Sequence, residues 1–160
     1  YELKVEFVPL LFLNKNYISI AENNKDYPLR VDLALLKDTA EELLINAMKY
    51  SPSGSNIQIL TAVKDGFFWI SFKNSVQENP YTGIPDELKK YILEPFVRIV
   101  KYVDENFSNF EKFGIGLGLS AIENIIKKHS GIFAIHEVKD YTNHERKSSV
   151  LAEILLPITK

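Results

Sequence analysis

An α+β sandwich, with helices covering one face of a mixed, mostly antiparallel sheet, is the fold class that this sequence predicts. Strand-like segments fall into hairpin pairs instead of a strict strand–helix alternation. Two amphipathic periods stand apart from them, one over residues 33–50 and one after a glycine run at 114–118. The 160 residues, 46% hydrophobic and 25% charged, suffice for one domain with a sizeable core.

The first dozen residues mix apolar and charged positions and read as either a short helix or a strand. Tyr17-Ile18-Ser19-Ile20 alternates as a strand does, Glu22–Asp26 is a polar turn, and Tyr27–Val31 reads as a second strand. Asp32 can cap a helix from about Leu33 to Tyr50, whose Leu36, Ala40, Leu43, Leu44 and Ala47 recur at helical spacing. Ser51-Pro52-Ser53-Gly54 ends it. Asn56–Val63 and Phe67–Phe72 alternate around Lys64-Asp65-Gly66, a hairpin signature. Pro85 opens a short predicted helix to about Leu93, and Pro95–Phe113 has little regular pattern. A helix follows the glycines, with Ala121, Ile122, Ile125 and Ile126 on its apolar face, and stops at His129-Ser130-Gly131. Ile132–Val138 and Ser149–Leu156 read as closing strands around a polar loop, Lys139–Lys147.

Several function classes are disfavoured. A net charge of −2 gives no reason to expect nucleic acid or an anionic membrane as partner. The absence of cysteine excludes disulfides and thiolate metal sites. The apolar run Phe7–Leu13 is too short to span a bilayer and contains Pro9. No signal peptide is visible and there is no initiator Met, so the chain reads as a piece of something longer.

Two patterns carry chemistry. Gly114-Ile115-Gly116-Leu117-Gly118-Leu119-Ser120 runs directly into a helix. Glycines at a helix start let backbone N–H groups approach an anion where the helix dipole already favours it. No Gly-Lys-Ser/Thr follows, so this is not a P-loop, and Leu119 stands where a dinucleotide fingerprint needs its third glycine. A flexible hinge is the alternative. The second pattern is Asp38, Glu42, Asn46 and Lys49, spaced four, four and three along one helix face. A solvated face is the usual meaning of such a stripe. Here its flanks are apolar almost all round, and Asn is a poor mid-helix residue without a partner. Asn46 offers an oxygen suited to Mg²⁺, Glu42 can hold or activate a water, and Lys49 can reach phosphate oxygens.

Together these segments resemble a family. Glu42-Leu-Leu-Ile-Asn46-Ala-Met-Lys49-Tyr50-Ser51-Pro52 resembles the N box of sensor histidine kinases. Gly83-Ile84-Pro85 is similar to the end of their first glycine box, and Glu94-Pro95-Phe96-Val97-Arg98 to their F box. Gly114 to Ser120 is similar to their second glycine box. The four motifs occur in the family's order over nearly the whole chain, in the superfamily that also holds DNA gyrase, a heat-shock chaperone and mismatch-repair ATPases. The resemblance implies a single Bergerat-type ATP-binding domain over residues 1–160, with ATP between the helices above the sheet and a lid at about 97–113. It implies Asn46 on Mg²⁺, Lys49 on phosphate and Tyr50 near adenine. Arg98 or Lys101, and Lys112, become candidates for the terminal phosphates. Backbone around Gly114, Gly116, Leu117, Gly118 and Leu119 would cradle the phosphates, and Gly83 and Ile84 would line the site. The γ-phosphate would go to a histidine on a separate dimerisation domain of the same parent. That parent would be a cytoplasmic or membrane-anchored homodimer passing phosphate to a response regulator.

The chain departs from that pattern in places. The family's first glycine box reads Asp-x-Gly-x-Gly, and its Asp accepts from the adenine amine; no such Asp stands here. Strand parity through Phe68, Ile70 and Phe72 points to Asn74, whereas counting back from Gly83 gives Asn79, with Tyr81 at the first glycine. Parity favours Asn74, and an Asn oxygen still accepts from an amine. Glu42 stands where many kinases carry Asn or His, and hydrolytic relatives use a Glu there as base. His129, His136 and His144 read as structural or surface residues, too scattered for a metal site, and Trp69 reads as core. The alternatives to a histidine kinase domain are a degenerate nucleotide-binding or regulatory module, a serine-directed anti-sigma-type kinase, and a gyrase-like ATPase.

Overall fold

The computed structural model describes residues 15–21, 26–76, 83–98, 116–141 and 147–159. Their elements are β1 (Tyr17–Ala21), α1 (Leu33–Tyr50), β2 (Asn56–Lys64), β3 (Phe67–Ser75), α2 (Gly118–Lys128), β4 (Ile132–Asp140) and β5 (Lys147–Pro157). The strands form one sheet in the order β1-β2-β3-β5-β4. Only β1–β2 is parallel; β2–β3, β3–β5 and β4–β5 are antiparallel. This is the expected α+β sandwich.

The helix α1 begins and ends where its sequence signals lie. Asp32 Oδ1 accepts from Ala34 N at 3.0 Å and Leu35 N at 3.2 Å, a cap that stabilises by about 1 kcal/mol. Ser51 is already extended and closes the helix. Leu43, Leu44, Ile45, Ala47 and Met48 are all buried, so α1 sinks into the core around most of its circumference. Each large side chain among them contributes roughly 1.5–3 kcal/mol. On the sheet, the rows Thr61–Ile70–Ile154–Phe133 and Ile59–Phe72–Ala152–Ile135 include the side chains packed beneath the helices.

The hairpin β2–β3 turns through Asp65 (φ 52°) and Gly66 (φ 80°). Two successive left-handed residues make the turn whose twist matches the flanking strands. At the other end of β3 the helix-facing row is Asn74–Val150–Glu137. The apolar rows thus give way to one with a polar residue on each side.

Two expectations are corrected. Tyr27–Val31 is not a strand; it makes a single bridge, Leu29 with Ile158, flanked by Thr159 N donating to Pro28 O at 2.9 Å. Pro28 has no N–H and cannot extend a ladder. Pro85–Leu93 is a run of turns instead of a helix: Leu88 N and Lys89 N both donate to Pro85 O, Tyr91 N to Leu88 O, and Glu94 N to Tyr91 O. A nine-residue stretch is too short to offset helix nucleation, and Pro95 restricts Glu94. The first dozen residues lie outside the described ones. No helix among the described residues is long and apolar enough to cross a membrane.

Candidate functional site

The polar stripe of α1 faces other chemistry-bearing segments instead of open solvent. Glu42 and Lys49 are each only 4% exposed, and Asp38, Asn46 and Tyr50 are half-buried. The Lys49 ammonium lies 5.5 Å from the centre of the Tyr50 ring, within range of a cation–π attraction.

The start of α2 packs against this stripe. Leu117 makes no side-chain cap, and Gly118 lies so close to Glu42 that an added Cβ would overlap the carboxylate, with Cδ at 3.1 Å. A negative charge there meets the positive end of the helix dipole. One reason for glycine at 118 is therefore intramolecular: the Glu42 carboxylate occupies the space beside it. Gly116 (φ 79°) is pressed against the backbone of Phe96 and Val97, and Phe96 N donates to Gly116 O at 3.0 Å. Phe96 itself is left-handed (φ 67°) and 69% exposed. The segments 94–98 and 116–118, far apart in sequence, are thus joined through their backbones.

Asn74, near the end of β3, is 6% exposed. Its Nδ2 donates to Ser75 O at 2.9 Å and to Ser51 Oγ at 3.2 Å. Ser51, fully buried, in turn donates to Ala47 O at 2.5 Å. With both amide hydrogens used inward, Oδ1 is the group this side chain can offer a ligand. Opposite it in the same row, Glu137 Oε2 accepts from Ile84 N at 3.3 Å and Oε1 from Ser148 Oγ at 2.8 Å. Ile84 is 5% exposed and Gly83 is buried.

Glu42, Asn46, Lys49 and Tyr50 lie on α1, and Glu42 lies against Gly118 at the start of α2, next to Gly116, Leu117 and Leu119. Leu119 packs its side chain on the core, so only its backbone can serve a ligand. Arg98 is exposed at the end of the 83–98 segment. Gly114, Lys101, Lys112, Asn79 and nearly all of the expected lid lie outside the described residues. His129 and His136 take structural and surface places. His129 Nε2 accepts from Asp32 N at 2.9 Å while Nδ1 lies 2.7 Å from Ile125 O, which ties the end of α2 to the start of α1. His136 Nε2 meets Glu153 at 3.1 Å on the other face of the sheet, and His144 is not among the described residues. Glu137 was not singled out from sequence. Its signal was parity: with Phe133 and Ile135 pointing inward, residue 137 does too.

The family model described as histidine kinase-, DNA gyrase B- and HSP90-like ATPase matches residues 31–159. The chain belongs to that ATPase family. ATP is accordingly the family's substrate, and the matched stretch contains every site residue named above. Among similar proteins, histidine kinase P4 of Formosa agariphila is 26% identical over 146 residues, which are 91% of this chain and 10% of that protein. Sensor protein BasS of Escherichia coli K12 is 30% identical over 128 residues, 80% of this chain and 31% of that protein. The ATPase domain thus spans a third or less of these relatives. Its fold matches the catalytic domain of histidine kinase ThkA, in a nucleotide-free form, with a TM-score of 0.68 at 24% identity over 96% of this chain and 88% of that one. Full-length ShkA in complex with AMPPNP aligns with a TM-score of 0.69 at 15% identity, over 96% of this chain and 28% of that one.

Proposed function

We propose that this chain is the ATP-binding catalytic domain of a two-component sensor histidine kinase. The observation that carries the reading is a packed corner: the buried Glu42 of α1 lies against Gly118 at the glycine-rich start of α2, Gly116 is bonded to the 94–98 segment, and Asn46 and the buried Lys49 follow one and two turns along the same face of α1. Asn74 Oδ1 would accept from the adenine amine, and Tyr50 would pack beside the base. Lys49 and the amides around Gly116 and Gly118 would bind phosphate oxygens, as helix N-termini do. Arg98 would reach the terminal phosphate from the 94–98 segment.

Among the described residues no group of three or more His, Cys, Asp or Glu could hold a metal ion. Mg²⁺ would be bound as it is with nucleotides, by one or two protein oxygens plus phosphate oxygens and waters, with Asn46 Oδ1 as the protein's ligand. The ion would supply neutralisation of the triphosphate charge. The residues of this chain bind and orient; the acceptor imidazole belongs to a separate dimerisation domain. Its nitrogen would form the N–P bond as the bond from the γ-phosphorus to its bridging oxygen breaks and ADP leaves. A response regulator would receive the phosphoryl group next. The parent would be a homodimer holding this domain in the cytoplasm, with or without a membrane anchor. BasS and P4, named as a sensor protein and a histidine kinase, support this over a gyrase-like or serine-directed role.

Calorimetric titration with a non-hydrolysable ATP analogue, with and without Mg²⁺, tests the reading. Saturable Mg-dependent binding is expected, weakened about tenfold or more by Asn46→Ala and by Asn74→Ala, since each removes an interaction of order 1.4 kcal/mol. No binding to folded wild-type chain would replace the kinase reading with a regulatory module that has lost its ligand.

A further inference from the structure

The helix-facing row Asn74–Val150–Glu137 spans β3, β5 and β4. Neighbouring strands lie about 4.8 Å apart, so residues two strands apart in a row are separated by roughly 10 Å. That is wide enough to admit a purine ring between groups attached to either end. At one end stands Asn74, held by Ser51 and Ser75. At the other end Glu137 grips the chain where it returns to the sheet after residues 77–82.

The grip is close. Ile84 N donates to Glu137 Oε2 at 3.3 Å, and Ser148 Oγ, a diagonal neighbour on the same face of β5, donates to Oε1 at 2.8 Å. Gly83 has φ 89°, and a Cβ there would lie 2.5 and 2.6 Å from the two carboxylate oxygens. No side chain fits between this backbone and the carboxylate. Lys89, in the turns that follow Ile84, also feels Glu137, which helps to raise its pKa, though less than its hydrogen bond to Asp86 does. The tight fit at Gly83 and the hydrogen bond at Ile84 are thus both set by one side chain on β4.

We infer that Glu137 is a positioning residue that fixes the wall opposite Asn74, and so sets the width of the pocket for the base; this rests on the nucleotide-binding reading above. The backbone of Gly83-Ile84 is held by the carboxylate on β4. This explains how the chain tolerates Tyr81 and an Asn-containing insertion where two glycines and an acid would otherwise shape the loop. Glu137 touches no reacting atom in this scheme. It acts through Ile84, on the base end of the ligand and not on the phosphates.

The test compares wild type, Glu137→Ala and Glu137→Gln in the 160-residue chain, using a non-hydrolysable ATP analogue and inorganic tripolyphosphate as separate probes with Mg²⁺. Glu137→Ala is expected to weaken the ATP analogue about tenfold while changing tripolyphosphate binding less than twofold. Glu137→Gln, which keeps an acceptor for Ile84 N, should recover most of the loss. Amide exchange at Ile84 should quicken in Glu137→Ala and not in Glu137→Gln. Equal loss for both probes, accompanied by a lowered melting temperature, would make Glu137 a merely structural residue and overturn the proposal. So would a Glu137→Ala variant that binds the analogue as wild type does. If wild type binds no analogue, the nucleotide reading itself falls, and the inference with it.

Discussion

Replacing Gly116 by alanine tests whether the 94–98 segment is held against the start of α2. Two costs arise. The backbone is left-handed (φ 79°), which costs a non-glycine residue about 1–2 kcal/mol. The new Cβ would also lie 3.1 Å from Phe96 C, 3.1 Å from Val97 O and 3.2 Å from Phe96 Cα, all backbone atoms that cannot rotate away. Overpacking of that kind costs a further 1–3 kcal/mol, roughly. Gly54 is the natural control: it has nearly the same φ, 77°, and nothing within 4 Å of an added Cβ. It shares the conformational cost and the loss of unfolded-state entropy, and it lacks the steric term. Gly54→Ala should therefore cost about 0.5–1.5 kcal/mol and Gly116→Ala about 2–4 kcal/mol. Urea unfolding reads the difference as a lower midpoint at unchanged m. Equal costs for the two variants would show that Phe96 and Val97 do not press on residue 116, and the joined corner would lose its support.

Two further outcomes follow from the packing and charge. His129→Ala should destabilise by about 1–2 kcal/mol in the same unfolding assay, because it leaves Asp32 N and Ile125 O without their ring partner; a variant as stable as wild type would mean that the two helix ends are not tied there. The Lys89–Asp86 pair is exposed, so its mark is expected in titration and not in stability. The hydrogen bond from Lys89 holds the Asp86 carboxyl below its usual range, so its contribution is present above the ordinary carboxylate value and fades as pH falls through the lowered one. Lys89→Met should move the Asp86 carbon resonance midpoint upward by NMR; an unmoved midpoint would deny the pairing.

Much of the fold is legible in the sequence where local and tertiary demands agree. Asp32, the apolar period of about 33–50 and Ser51-Pro52 delimit α1 because cap, period and terminator coincide. Asp65-Gly66 places the hairpin for the same reason. Tyr27–Val31 has strand composition, but its place in a ladder depends on Pro28 and on a distant partner, Ile158, that no local pattern names. In the site, the stripe on α1 and the glycines of α2 are visible as patterns. Two things are not. The left-handed Phe96 is set by its contact with Gly116, and the pairing of Gly118 with Glu42 joins residues far apart in the chain. Glu137 lies between: parity turns it inward, but only the returning backbone at Ile84 gives it a partner.

The hydrogen bond from Phe96 N to Gly116 O has a consequence for how this domain can change over evolutionary time. It brings the two ends of residues 97–115 together, and both ends are fixed by groups outside that stretch: Gly116 leads into a helix seated on Glu42, and Phe96 follows the turns from Pro85. Once the ends of a connection are fixed, its length enters stability only logarithmically, so doubling it costs about 0.6 kcal/mol. What the corner itself demands of an evolving chain is that residues 96 and 116 stay side by side, and that demand falls on Gly116 and on the backbone at Phe96.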